Sequence, residues 1–389
     1  MNSEPSPSPD PPGLCAFSVA DYLRPLAGDL PGTLVAAPAR DAIIDLAARL
    51  PGAITSFCGF ECPLGSADAR ADFLLCSTRE EGHAGVLAGM HDSIALAPEL
   101  RTQPAWQRVA AFCRAWLAAG SPLGGELMNT WLEFDIASDA DALVEPSMFF
   151  GTHPPAPGAD PRGQLAALRE ALAVLDPPAL HGHRGRALET LLAALPRGCH
   201  VFQVGAMWSR GQAAIRLCLR GVEHVAVPAL LDVLDWPGDG DDVAVLLDTF
   251  GAHASRVDLD LDLGTRIGPK IGLECYLGTD AATAARLAAL SAALVRVDAC
   301  TPAKAAALDA YQGLTLQDAA PAHWPPHLAA LARAGGRGLS SALCRWVHHI
   351  KLVHEPGQAL TAKAYLAVEH HLLARRELRA HIDAMRSGA

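Results

Sequence analysis

The chain has 389 residues, half of them hydrophobic and 19% charged, with a formal net charge of −11. That is enough apolar material for a large core, and it lies far from the composition of a disordered chain. The acidic balance and the lack of any Lys/Arg-rich run argue against nucleic acid as a partner, because counterion release needs a basic face.

No stretch of about 20 uninterrupted apolar residues is present, so no membrane span is expected. The opening MNSEPSPSPDPPG is acidic and Pro/Ser-rich where a signal peptide would be basic and then apolar. It reads as a disordered leader over 1–13, followed by one domain over 14–389 of a cytoplasmic protein whose oligomeric state stays open. The ten cysteines are scattered through apolar segments and read as buried thiols. Cys58 and Cys62 have no second pair at ligand spacing, so they make a poor zinc site.

Helical and strand patterns then alternate along the chain. Apolar i, i+3, i+4 spacing predicts helices over Val19–Leu26 and Asp41–Leu50. They lead into AITSFCGFECPLG, a turn at SADA, and RADFLLCS. A helix over Trp106–Ala119 precedes NTWLEFDIA, a loop at SDADAL, and VEPSMFFG. The Pro-rich connection THPPAPGADPRG ends this unit. Helices over Gln164–Leu175 and Arg184–Leu195 precede CHVFQVGAMW, a turn at SRGQ, and AAIRLCLRG. Helices over His224–Leu234 and Asp242–Ala252, separated by Pro237 and Gly238, precede RVDLDLDL, GTRIG and PKIGLECYLG. Helices over Ala281–Val295, Pro302–Ala310 and Pro326–Ala334 precede VHHIKLVH, EPGQ and ALTAKAYLAV. A last helix is expected over Leu372–Met385.

The strands alternate with period two. Leu259, Leu261 and Leu263 face one side while Asp258, Asp260 and Asp262 face the other; Ile271, Leu273 and Cys275 oppose Lys270, Glu274 and Tyr276. Helices covering the apolar side leave the polar side needing a wet place. Closure removes the sheet edges and turns that side into a lumen. The predicted fold is α+β: five repeated ααββ units forming a ten-stranded antiparallel β-barrel with helices outside. An open α+β sheet with a solvated polar face is the alternative.

The element order resembles the ABBA, or PT-barrel, prenyltransferases over nearly the whole chain from Val19, without a diagnostic motif. The resemblance implies an isoprenoid diphosphate inside the barrel, cationic side chains holding the diphosphate, tyrosines shielding the allylic cation, and a carboxylate base. Charge developing on the leaving group is stabilised by fixed donors, and the carbocation by π faces. Arg216, Arg220, Lys270, Lys351 and Lys363 sit at inward positions for the first task, and Tyr276 and Tyr365 for the second. Lys363-Ala-Tyr365 looks like the family's Lys-x-Tyr strands. Glu133 is placed like the base of the indole-prenylating members, with Trp131 and Asp135 beside it.

Three features depart from that pattern. VEPSMFFG carries no Arg or Lys, AAIRLCLRG has no tyrosine, and three aspartates, Asp258, Asp260 and Asp262, point inward about 7 Å apart from one to the next. They repel unless lysines, a cationic substrate or Mg²⁺ neutralise them. Apart from that possible Mg²⁺ no cofactor is required. The inward Lys and Tyr, with the aspartates and Glu274, are read either as a substrate-binding set or as a salt-bridged interior.

Of His348, His349 and His354, strand alternation places only His349 on the lumen side with Lys351; His181 and His183 read as loop residues. There is no G-x-S-x-G, P-loop, G-x-G-x-x-G after a strand or H-E-x-x-H. The resulting expectation is transfer of an isoprenoid from its diphosphate to an aromatic or peptide acceptor in specialised metabolism. The alternatives are a peptide-tailoring or cyclising enzyme on the same barrel, or a non-catalytic protein binding a peptide or small molecule.

Overall fold

The computed structural model describes residues 17–91, 94–136, 145–176, 183–211, 214–319, 321–336, 338–374, 376 and 378. The expected leader, the SDADAL loop and His181 lie outside the described residues, as does most of the expected last helix.

Each repeat pairs helices with a hairpin. Helices α1 (Ala20–Leu23) and α2 (Ala37–Ala47) precede strands β1 (Phe57–Pro63) and β2 (Asp72–Thr78). Helices α3 (His83–Leu87), α4 (Pro98–Arg101) and α5 (Pro104–Leu117) precede β3 (Leu127–Phe134) and β4 (Ser147–Thr152). Helices α6 (Leu165–Leu175) and α7 (His183–Ala194) precede β5 (His200–Ala206) and β6 (Ile215–Arg220). Helices α8 (Val227–Val233) and α9 (Gly240–Phe250) precede β7 (Arg256–Leu263) and β8 (Ile267–Tyr276). The fifth repeat has α10 (Thr283–Arg296), α11 (Pro302–Tyr311), a short strand β9 (Gly313–Leu316) and α12 (Pro326–Ala334) before β10 (Leu339–His354) and β11 (Thr361–Ala374).

Every neighbouring pair from β1 to β8 is antiparallel; β8 pairs with β10, β10 with β11, and β11 returns to β1, closing ten strands into a barrel. The open-sheet alternative is thereby excluded. Strand β9 is an unforeseen eleventh strand, paired only with the first part of β10, beyond the stretch that meets β8.

The local physics is plain in α5. Pro104 opens it where a missing N–H costs nothing, and Trp106, Val109, Phe112, Cys113 and Trp116 fall on one buried stripe. That stripe packs on the outward face of the sheet, with Trp106 6.0 Å from Phe134 and Phe112 5.5 Å from Phe150. Burying each such side chain contributes about 1.5–3 kcal/mol.

One expectation is corrected here. Leu372 and Leu373 belong to β11, not to a helix, because β10 runs far enough to pair with them, Ser341 opposite Leu372 and Leu339 opposite Ala374. The apolar stretch thus found a strand partner before it could start a helix. No described helix is long and apolar enough to cross a membrane.

Candidate active site in the barrel lumen

The lumen holds a cavity of about 350 Å³. Of the residues expected to face inward, Trp131, Glu133, Arg216, Arg220, Glu274, Tyr276, Lys351 and Tyr365 line it. Lys363, Asp258, Asp260 and Asp262 share the lumen side without lining the cavity, each bonded to an oppositely charged neighbour. Lys270 has the right parity and the wrong height: it lies near the start of β8, 52% exposed, 3.8 Å from Glu355. The pairing of β8 with β7 is irregular between Ile271 and Ile267 and its pairing with β10 stops at Ile271, so parity alone cannot carry Lys270 inside.

The lower lumen is a plug of paired charges. Lys363 and the Tyr365 hydroxyl both bond the Glu61 carboxylate. Arg210, carried by the turn after β5, grips Asp135 through two nitrogens at 2.7 and 3.0 Å, and Ser209 donates to the same carboxylate. Arg216 lies 3.0 Å from Asp262, and Lys351 bonds Asp260 while standing 3.9 Å from Glu274. Burial alone would raise Glu61, but Lys363 and Arg210, with the hydrogen bonds from Lys363 and Tyr365, bring it down to about 2. Burial and the Arg216 charge push Lys351 down to about 7.

Above the plug the groups are looser. Glu133 makes no hydrogen bond or ion pair among the described residues. Burial and the charge of Glu61 push it up to about 7 against Arg210, Arg216 and Lys351. Burial and Asp258 likewise raise Glu274 to about 7, although Tyr276 donates to it at 3.0 Å. Phe57 is the hub of an aromatic wall, edge-on to Trp131 at 5.3 Å, Trp346 at 5.6 Å and His348 at 6.1 Å. At the mouth, Arg220 and Arg256 share Asp258 Oδ2 at 2.8 and 3.0 Å. The Arg220 guanidinium stacks on Phe202 at 3.9 Å and that of Arg256 on Tyr276 at 4.1 Å.

Of the four register shifts in the described strands, those in β3, β5 and β10 break strict alternation. At each, two consecutive residues join the wall: Met128 with Asn129, Phe202 with Gln203, and His348 with His349. His348, expected to point away, is therefore a lumen residue, because the extra residue of a β-bulge rotates the chain locally. Three lumen glycines make room for the residue opposite. A methyl group at Gly205 would fall on the Phe149 ring, one at Gly151 on the Asn129 amide, and one at Gly272 on Asp260 and Lys351.

The three aspartates do not form the expected ligand set. Each is neutralised by Arg220, Lys351 or Arg216, and only Asp260 joins a candidate cluster, with Cys218 and Glu274, whose ligand atoms lie within 4.8 Å of one another. That donor set does not fit Mg²⁺, which takes oxygen ligands, and the Lys351 ammonium already bonds Asp260. Cys58 and Cys62 alternate onto the outward face with the core; burial raises the Cys58 thiol to about 12, so the pair is inert.

Sequence reasoning missed Glu61, Phe57, Arg210, Arg256 and His348. Parity could have supplied Arg256, two residues before Asp258, and both Phe57 and Glu61 on β1; nothing local announced the Arg210 turn or the bulge.

No protein-family model and no curated protein matches the sequence. Among solved structures, the chain is similar to the apo form of prenyltransferase PriB, with TM-score 0.48 and 15% identity over 90% of this chain and 94% of that one. The PriB ternary complex with L-tryptophan and dimethylallyl thiolodiphosphate gives TM-score 0.45 and 14% identity over the same shares. A 5-dimethylallyl tryptophan synthase from Streptomyces coelicolor, in complex with DMASPP and Trp, gives 0.47 and 14% over 91% of this chain and 94% of that one. At TM-scores below 0.5 the likeness decides nothing about activity, and the PT-barrel-like fold stands on its own strand pairing.

Proposed function

We propose that the protein transfers an isoprenoid from its diphosphate to an aromatic acceptor held in the lumen. The observation that carries this reading is Glu133, an unpaired carboxylate raised to about 7 in the wall of an enclosed aromatic chamber. A carboxylate near neutrality is matched to proton transfer at physiological pH.

In this reading the donor's C–O bond breaks, the acceptor's electron pair forms the new bond to the allylic carbon, and diphosphate leaves. Glu133 accepts the heteroatom proton that makes the acceptor nucleophilic. Tyr276, Tyr365 and Trp131 present π faces to the cation. For the diphosphate, Arg220 and Arg256 are the best placed cations: they are 27% and 44% exposed at the mouth and share one carboxylate oxygen between two guanidinium groups. Arg216, Lys351 and Lys363 are each bonded to a buried acid, which suits the plug better than a leaving group.

One observation favours a second reading, a barrel that binds or tailors a positively charged molecule such as a peptide. The described lumen and its lower end hold Glu61, Asp72, Glu133, Asp135, Asp258, Asp260, Asp262 and Glu274 against Arg210, Arg216, Arg220, Arg256, Lys351 and Lys363, so acids outnumber cations. The two readings separate in one experiment. Dimethylallyl, geranyl and farnesyl diphosphate are each tested for a rise in melting temperature, which binding to the folded state produces by mass action. They are then incubated with tryptophan, and the products are weighed by mass spectrometry. A prenyl mass increment supports transfer; no thermal shift with any donor, together with a shift on adding basic peptides, overturns it.

A further inference from the structure

The bulge in β10 turns two consecutive histidines into the lumen, and their rings meet through the same kind of atom: His348 Nδ1 and His349 Nδ1 are 2.8 Å apart. Two bare lone pairs cannot approach so closely, so one proton lies between them, donated by one ring and accepted by the other. His349 is held in place by stacking on Tyr365, 4.2 Å between centroids, and by Tyr276 at 4.9 Å. His349 is 7% exposed and lines the cavity, yet its Nε2 has no hydrogen-bond partner among the described residues. A buried polar atom left open in a ligand chamber calls for a partner from the ligand. At the other end, His348 stands by Tyr276 at 5.5 Å, and Tyr276 in turn carries the Arg256 guanidinium.

We propose that His348 and His349 form a neutral proton relay that takes the hydrogen displaced from the acceptor and delivers it to the departing diphosphate at the mouth. The proposal rests on the isoprenoid-transfer reading. When the allylic carbon bonds to an aromatic ring carbon, that carbon still holds its hydrogen, and Glu133, already carrying the heteroatom proton, cannot take a second one. The C–H electron pair returns to the ring, Glu133 gives its proton back to the heteroatom, and the C–H proton goes to His349 Nε2. The proton on His349 Nδ1 passes to His348 Nδ1, and the proton on His348 Nε2 leaves for a diphosphate oxygen. One proton enters and one leaves; each ring changes tautomer and neither becomes an imidazolium.

That economy suits the surroundings. Arg220 and Arg256 face His348, and His349 sees the His348 ring and Arg256 with Glu61 on the other side. Burial first and these cations next hold His348 down at about 4, while burial and its neighbour hold His349 well below the ordinary histidine range. A free histidine would titrate close to neutrality and stop the relay in the charged form.

Two measurements test the relay. Nitrogen-15 NMR of the full chain with labelled histidine should show one far-downfield Nδ1–H coupled to both imidazoles and two rings that stay neutral at about pH 6. Independent titration of both rings near their ordinary value overturns the proposal whether or not transfer occurs. With dimethylallyl diphosphate and tryptophan, H348F and H349F should lower kcat by about 10²- to 10⁴-fold, the range of a general-acid or general-base group, with KM for the donor changed far less. Both should also abolish the solvent deuterium isotope effect on kcat. H348N, whose amide can replace the Nδ1 contact but offers no Nε2, should remain as slow as H348F. A kcat and isotope effect unchanged in all three variants also overturns the relay. Absence of any transfer by the wild-type chain sinks the transfer reading instead, and the NMR result then decides the shared proton alone.

Discussion

The lower and upper parts of the lumen are built from the same residue types and reach opposite states. Below, Glu61, Asp135 and Asp262 are each matched by Lys363, Arg210 or Arg216 at bonding distance. Above, among the described residues, Glu133 has no partner, the second oxygen of Asp258 has none, and His349 keeps an open ring nitrogen. Satisfied buried charge gives a rigid floor, because breaking one pair strands the other charge in a poor solvent. Unsatisfied buried charge is held at a cost that structure alone does not repay, which is why it marks the place where a ligand belongs. A floor and a workplace can thus be told apart inside one cavity by counting what each polar atom bonds.

Three experiments would break or sharpen that contrast, the largest effect first. E133Q should lower kcat by about 10²–10⁴-fold if Glu133 is the base. It should leave the melting temperature unchanged or higher above about pH 7, because there the folded chain carries this group ionised in a site that disfavours its charge. Unaltered turnover by a folded E133Q would move the chemistry elsewhere in the wall.

The floor should answer in the other currency, stability. K363M leaves Glu61 without its ammonium and should lose about 2 kcal/mol by urea denaturation, short of the value for a fully buried pair because Lys363 is 33% exposed. K363R should recover most of the loss. A K363M chain as stable as the wild type would mean that the plug is no plug.

The gentlest test is pH, where one linked proton changes stability by at most about 1.4 kcal/mol per unit. Glu61 moves from an ordinary 4.5 down to about 2 on folding, so its stabilisation is complete above 4.5 and is lost as the pH falls toward 2. Glu274 moves from 4.5 up to about 7, so its contribution is complete below 4.5 and is lost as the pH rises through 7. Urea midpoints taken at about pH 3, 5 and 8 should therefore fall at both ends. E61Q should flatten the acid side alone and E274Q the alkaline side alone; identical curves for all three proteins would show that neither shift exists.

Much of this was legible in the sequence. Period two in RVDLDLDL and PKIGLECY placed aliphatics against helices and acids inside, and the five hairpins joined by helix pairs implied closure. Arg216, Arg220, Glu274, Tyr276, Lys351, Lys363 and Tyr365 all lie on the side that alternation assigned. What alternation cannot express is height and pairing. Lys270 sits where β8 pairs irregularly, and the partners of Arg210, Arg216, Lys351 and Lys363 come from strands or turns distant in sequence. Nor does a strand pattern show where an extra residue is inserted, so His348 was placed on the wrong side. The last apolar run, Leu372–Ala374, looked helical because the length of β10 cannot be read from β11.

The bare backbone at Gly151, Gly205 and Gly272 has a consequence for how such a barrel changes its guest. Where the wall omits a β-carbon, the neighbouring side chain lies flat across the gap, and the bore is set by rings and amides resting on hydrogen atoms. One alanine would lift Phe149 or Asn129 toward the axis and narrow the passage without touching any charge. Selection for smaller or larger guests can then proceed along the staves while the proton-handling groups stay as they are.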